Sequence, residues 1–207
     1  MHEMASGSQI ADMAPLAIHE VHFEGGILQR GFWLYVWEVS GERHAPVYYV
    51  GRTGDSSSTN AQSPFNRMGQ HLGFAKNSNM LRGYLRQNGV VPEQRVFRLI
   101  AVGPIEKEAK GRSRREHARR RDVVAAMEKA LADLLTSWGF NVMNSVKCRK
   151  PLDEARFAEV RAAFAGALPQ LAAAGPVIEE APRAPSPRGA GSGTWRQGNR
   201  QDPRKLK

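Results

Sequence analysis

Two short stretches decide how this chain reads: Phe32-Trp33-Leu34-Tyr35-Val36-Trp37 and, a turn later, Val47-Tyr48-Tyr49-Val50-Gly51. Both consist almost wholly of β-branched and aromatic residues, which pack well on a pleated surface. Between them Ser40-Gly41-Glu42-Arg43-His44 is polar and carries a glycine. The pattern predicts a hairpin, with one strand from Gly31 to Val39 and its partner from Pro46 to Gly51. Side chains alternate across a strand, so one register puts the Tyr35 and Tyr49 hydroxyls on the same face. Aromatic residues favour strands in any case, so the pair acquires meaning only from the polar residues later in the chain.

After a polar loop at 53–62, Ser63 is a natural N-cap with Pro64 at the first helical position. Phe65, Met68 and Leu72 fall at helical spacing and Gly73 ends the run. Arg67 and His71 stand one turn apart on the same helix, on a face expected to lie away from those apolar residues. An arginine fork matches two phosphate oxygens, and a histidine beside it can donate to phosphate or handle a proton. A second helix is expected from Asn79 to Gln87, and a third strand from Arg95 to Val102. Lys76, Arg82 and Arg86 add positive charge around the second helix.

Residues 106–121 hold eight Lys or Arg against three Glu, a density that favours a nucleic-acid surface including Arg114 and Arg115. The longest helical pattern follows, with Val123, Val124, Met127, Leu131, Leu134, Leu135 and Trp138 at three-to-four spacing and Gly139 as its stop. Glu128 sits on the shoulder of that apolar stripe. A carboxylate so placed is paired, with Lys129 or Arg121 as sequence neighbours, or is bound to a cation. One carboxylate, substrate phosphate and water suffice to hold Mg²⁺. Gly139-Phe140-Asn141 closes the ordered set, with Asn144 repeating the residue type.

The chain has 207 residues and a net charge of +10, from 30 Lys and Arg against 20 Asp and Glu. That balance favours a polyanionic partner, nucleic acid before a membrane surface. One cysteine, Cys148, excludes an intramolecular disulfide and a multi-cysteine zinc site. No run of eighteen apolar residues predicts a membrane span. Met1-His2-Glu3-Met4-Ala5 lacks the basic start of a signal peptide, so a cytoplasmic setting is expected, bacterial from the Ala- and Arg-rich composition. The domain organisation is expected to be a loosely ordered segment at 1–26, a core domain at 27–150, a C-terminal helix within 151–174, and a disordered basic tail at 175–207.

In this order the residues resemble the GIY-YIG nuclease family. Trp33-Leu34-Tyr35 stands where that family has its first tripeptide, with Trp33 in place of glycine, and Tyr49-Val50-Gly51 matches the second. Arg67-x-x-x-His71 is similar to its arginine helix, Glu128 to its metal-binding glutamate, and Gly139-Phe140-Asn141 to its Gly-Tyr-Asn, with Asn144 as the alternative counterpart. The resemblance covers residues 31–145. It implies an α/β (α+β) fold with a small three-stranded antiparallel sheet flanked by helices, and hydrolysis of a nucleic-acid phosphodiester. Glu128 would hold one Mg²⁺ or Mn²⁺, Tyr35 would act as general base or orient water, and Tyr49 would position water or phosphate. Arg67 and His71 would stabilise phosphoryl charge, Asn141 would hold the local geometry, and Arg52 would contact the phosphate side.

Three functions remain open on these grounds: a metal-dependent endonuclease acting on DNA or RNA, an inactive nucleic-acid-binding module of the same fold, and a protein-interaction domain. No second DNA-reading domain is visible, so specificity would come from the loops, the tail, a homodimer or a protein partner.

Overall fold

The computed structural model describes residues 16–42, 44–54, 59–74, 80–108, 111 and 113–172, all within one compact unit, Met1–Pro176. The expected tail at 175–207 and most of the expected N-terminal segment lie outside the described residues. Residues 16–26 are exposed and lead through a short 3₁₀ turn, Gly25–Leu28, into the sheet.

The first strand, β1 (Phe32–Gly41), pairs antiparallel with β2 (His44–Arg52) on one side and with β3 (Val96–Glu106) on the other. The strand order is β2-β1-β3. As the middle strand β1 is covered on both faces, which is why all six residues from Phe32 to Trp37 are buried. Phe32, Leu34 and Val36, with Tyr48 and Val50 of β2, line one face. Tyr35, Trp37 and Val39, with Tyr49, line the other. The sheet is thus a middle layer with a separate apolar cluster on each side.

Trp33 stands opposite a glycine: any side chain at Gly103 would strike its ring. Gly103 has φ +151 and lies where the β1–β3 register shifts between Phe32 and Leu34. The bulky indole is accommodated by the neighbouring strand, with its Nε1 donating to the Gln29 carbonyl at 3.1 Å.

Helices α1 (Pro64–Leu72) and α2 (Met80–Gln87) cover the Tyr35 face, contributing Met68, Leu72, Leu81 and Leu85. The Ser63 hydroxyl accepts from the Asn66 backbone N–H at 3.3 Å, the expected cap. On the opposite face lie α3 (Arg114–Ser137) and α4 (Glu154–Ala165). Val124, Met127, Leu131 and Leu135 of α3 are completely buried, the stripe anticipated from their spacing. Ser113 caps α3, and Gly139, in the left-handed region at φ +81, lets the chain turn after it. The expected C-terminal helix is shorter than its pattern, stopping at Ala165 because Gly166 and Pro169 interrupt it before the 3₁₀ turn Pro169–Ala172.

The architecture is an α+β fold with a small antiparallel sheet between two pairs of helices. Among the described residues no helix is long and apolar enough to cross a membrane.

Candidate active site

The β1–β2 register places Tyr49 opposite Trp37 and Gly51 opposite Tyr35. Tyr35 and Tyr49 therefore share a face one diagonal step apart. Gly51 has a direct role in this arrangement: the Tyr35 ring lies over its backbone, and a Cβ there would collide with the ring and the hydroxyl.

His71 comes down from α1 onto both tyrosines. Its ring centroid is 5.5 Å from that of Tyr35 and 5.1 Å from that of Tyr49, and its Nε2 is 2.6 Å from the Tyr35 hydroxyl oxygen. The same hydroxyl lies 3.2 Å from the Arg52 carbonyl, to which it can donate. His71 is 2 % exposed, which corrects the expectation that the Arg67–His71 face points away from the core. Helix α1 instead turns this face to the sheet. Phe65, expected inside, is half-buried against Phe23 at a ring distance of 5.0 Å. Six buried side chains from β1, β2 and α2 form the cluster, and α1 adds to Met68 and Leu72 its polar face where the tyrosine hydroxyls need partners.

Arg67, one turn earlier, lies close enough for its charge to act on the Tyr35 hydroxyl and is steadied by Gln70, whose Oε1 accepts from Nη1 at 2.7 Å. Glu128 approaches from α3. Its Oε2 is 2.9 Å from Arg52 Nε, with both side chains largely buried. This settles the pairing that sequence neighbours suggested differently: Lys129 is engaged by Asp133 and Arg121 by Asp122. The field of Glu128 reaches both tyrosines. Tyr35, Tyr49, Arg52, Arg67, His71 and Glu128 thus meet at one end of the hairpin.

Burial pushes the Tyr35 hydroxyl up to about 12, although Arg67 pulls the other way. Burial and then the neighbouring Tyr35 also push Tyr49 up. Neither phenol is acidified by its surroundings, so both keep their protons near neutral pH. Burial, with Arg67 beside it, lowers His71 to about 4 and leaves the imidazole neutral. Its Nδ1 is buried without a hydrogen-bond partner. Burial raises Glu128 above the ordinary carboxylate value, and Arg52 then Arg67 oppose the shift.

Asn141 does not join this group. Its side chain is exposed, and its backbone carbonyl accepts from the Tyr48 N–H at 2.8 Å. Asn144 takes the position instead: its Oδ1 accepts from the Val50 N–H at 2.9 Å and its Nδ2 donates to the Val50 carbonyl at 2.8 Å. The spacing of the two asparagines could have raised Asn144, since a segment pairing with a strand turns alternate residues toward it.

The surface cations divide. Arg82 is buried, paired with Glu93 and donating to the Leu72 carbonyl at 3.3 Å while its guanidinium covers Phe74. It is a structural residue, and its expected nucleic-acid contact is withdrawn. Lys76 lies outside the described residues. Arg114 and Arg115 are exposed in the first turn of α3. Farther along, Glu116 engages Arg119 and Arg120, and is held down to about 2 by their hydrogen bonds. Glu116 therefore offsets one of the positive charges of this stretch within the helix. Tyr84 packs on Tyr49 at a ring distance of 5.9 Å and extends the aromatic wall.

The donor set can be tested for a divalent cation. No group of three or more His, Cys, Asp or Glu suited to a metal occurs among the described residues. Glu128 offers one carboxylate with Arg52 on Oε2, which suits a hard cation that keeps most of its waters, such as Mg²⁺, and does not suit a multi-ligand zinc-type centre. No family model matches the chain, and searches of curated proteins and of solved structures found no significant match.

Proposed function

We propose that the protein is a metal-dependent endonuclease hydrolysing phosphodiester bonds, with DNA as the first candidate substrate. The observation that carries this reading is the meeting of two tyrosines, two arginines, a neutral histidine and one carboxylate drawn from β1, β2, α1 and α3. The likeness of the motifs to those of the GIY-YIG nucleases supports it, as does the net charge of +10.

In this reading Glu128 would hold the cation, which would supply charge withdrawal at the phosphoryl oxygens. Arg67, fixed by Gln70, binds the phosphoryl group and stabilises the charge that develops there. Arg52 shares that task as it exchanges the carboxylate for phosphate. Tyr35 serves as a protonated relay, because burial raises its hydroxyl to about 12. With the imidazole hydrogen on Nδ1, His71 Nε2 accepts the Tyr35 proton while Tyr35 accepts one from the attacking water. The new P–O bond then forms without a free phenolate as the bond to the leaving oxygen breaks, and that oxygen takes up a proton from solvent water. Phosphate charge beside His71 raises its proton affinity during the step. Tyr49 walls the water in.

The test is cleavage of plasmid and oligonucleotide substrates with Mg²⁺ or Mn²⁺ by wild type, Glu128→Ala and Arg67→Ala. The expected outcome is metal-dependent cleavage by wild type, reduced at least a hundredfold in both variants. Equal, background-level nicking by all three overturns the enzymatic reading. The Arg52 guanidinium on Glu128 favours one second reading, a nucleic-acid-binding module without cleavage, which salt-dependent binding with no product would support.

A further inference from the structure

A cavity of about 560 Å³ opens at the other end of the hairpin. Val39, Val47 and Val90 form its apolar wall, and Arg95, Asn88 and Asn141 its polar one. No carboxylate is among the described residues that line it. Arg95 is half-buried, its Nε is buried without a hydrogen-bond partner, and among the described residues its guanidinium has no ion pair. Of the other arginines, partly buried Arg52, Arg120, Arg121 and Arg156 and buried Arg82 each hold a carboxylate, while Arg67 is bonded to Gln70 in the tyrosine site. Gly41 keeps space open for this one: a side chain there would collide with the Arg95 guanidinium. An arginine set into a cavity with neutral amides and no counter-charge is arranged to receive an anion.

Val39 lies on the same face of β1 as Tyr35, four residues along, a separation of about 13 Å. That interval corresponds to roughly four base steps of duplex rise. We propose that the cavity binds a backbone phosphate of the nucleic-acid strand flanking the cleaved bond. Arg95 supplies the charge, the Asn88 and Asn141 amides donate to the phosphate oxygens, and the valine wall covers the adjoining sugar. The proposal rests on the nuclease reading for the identity of the strand. It gives Asn141 a place in substrate binding, away from the reacting atoms.

The experiment is anisotropy of a labelled duplex oligonucleotide in EDTA, titrated with wild type, Arg95→Gln and Arg95→Lys across a salt series, with thermal melts to confirm that each variant folds. Arg95→Gln is expected to weaken binding about tenfold and to reduce the slope of log K against log salt by about one, while Arg95→Lys keeps the slope. If Arg95→Gln binds with the affinity and slope of wild type, the proposal is wrong, as it is if wild type binds no oligonucleotide. Should Arg95→Gln fail to fold, Asn88→Ala replaces it, with a severalfold loss of affinity expected and no loss overturning the site. Failure of the nuclease reading shows itself elsewhere, as wild-type cleavage no greater than that of Glu128→Ala.

Discussion

The Tyr35 hydroxyl lies 2.6 Å from His71 Nε2 inside the sheet–helix interface. Two groups 36 positions apart in sequence thereby share one contact, and burial acts on both. A buried phenol that resists ionisation and a buried imidazole that resists protonation form a neutral pair at physiological pH.

Acid should expose His71 first. Its proton affinity in the fold, near 4, is below the ordinary 6.5, so between those values the unfolded chain binds a proton that the folded chain does not. Stability therefore falls as pH drops from 6.5 towards 4, by on the order of 3 kcal/mol, and this contribution levels off below. Urea melts from about pH 4 to 7.5 should show that loss in wild type and a shallower one in His71→Gln. Parallel curves would remove His71 as the cause.

Tyr35→Phe keeps the ring over Gly51 and deletes the oxygen that lies against His71 Nε2 and the Arg52 carbonyl. A stability loss of about 1–2 kcal/mol is expected, with a cleavage rate lower by about a hundredfold or more if the relay operates. Full cleavage activity in a folded Tyr35→Phe protein would eliminate Tyr35 as a relay.

Arg52 and Glu128 form a pair with side chains 21% and 16% exposed. Removing one partner strands the other in a poorly solvated place, so Arg52→Gln or Glu128→Gln should each cost about 2 kcal/mol. The double variant should cost less than their sum, with a coupling of about 1 kcal/mol in denaturant melts. Strict additivity would mean that the contact contributes nothing to stability.

Asn144→Ala leaves the Val50 N–H and C=O without their partners. The expected cost is about 2 kcal/mol, read as a clearly lower Tm. Asn141→Ala, at an exposed side chain, should stay within about 0.5 kcal/mol of wild type. The reverse ranking would restore Asn141 as the residue that holds the site.

Much of this architecture was legible residue by residue. The aromatic alternation of β1 and β2, the Ser63–Pro64 start of α1, the apolar stripe of α3 and its Gly139 stop all act over a few neighbouring residues, and each forms where its pattern predicts. The order of Tyr35, Tyr49, Arg67, His71 and Glu128 likewise singled out the residues that meet. Local patterns carry this information because strand pleat, helix spacing and capping are properties of short segments.

What the residues do where they meet was decided by packing between distant elements. Arg82 read as a surface cation and is buried against Glu93; Asn144 displaces Asn141 because the segment after α3 pairs along β2. His71 turns inward, Glu128 finds Arg52 across the fold, and burial makes the tyrosine hydroxyls less acidic. Burial and charge pairing depend on which surfaces close over a group, and only the tertiary structure brings those surfaces together.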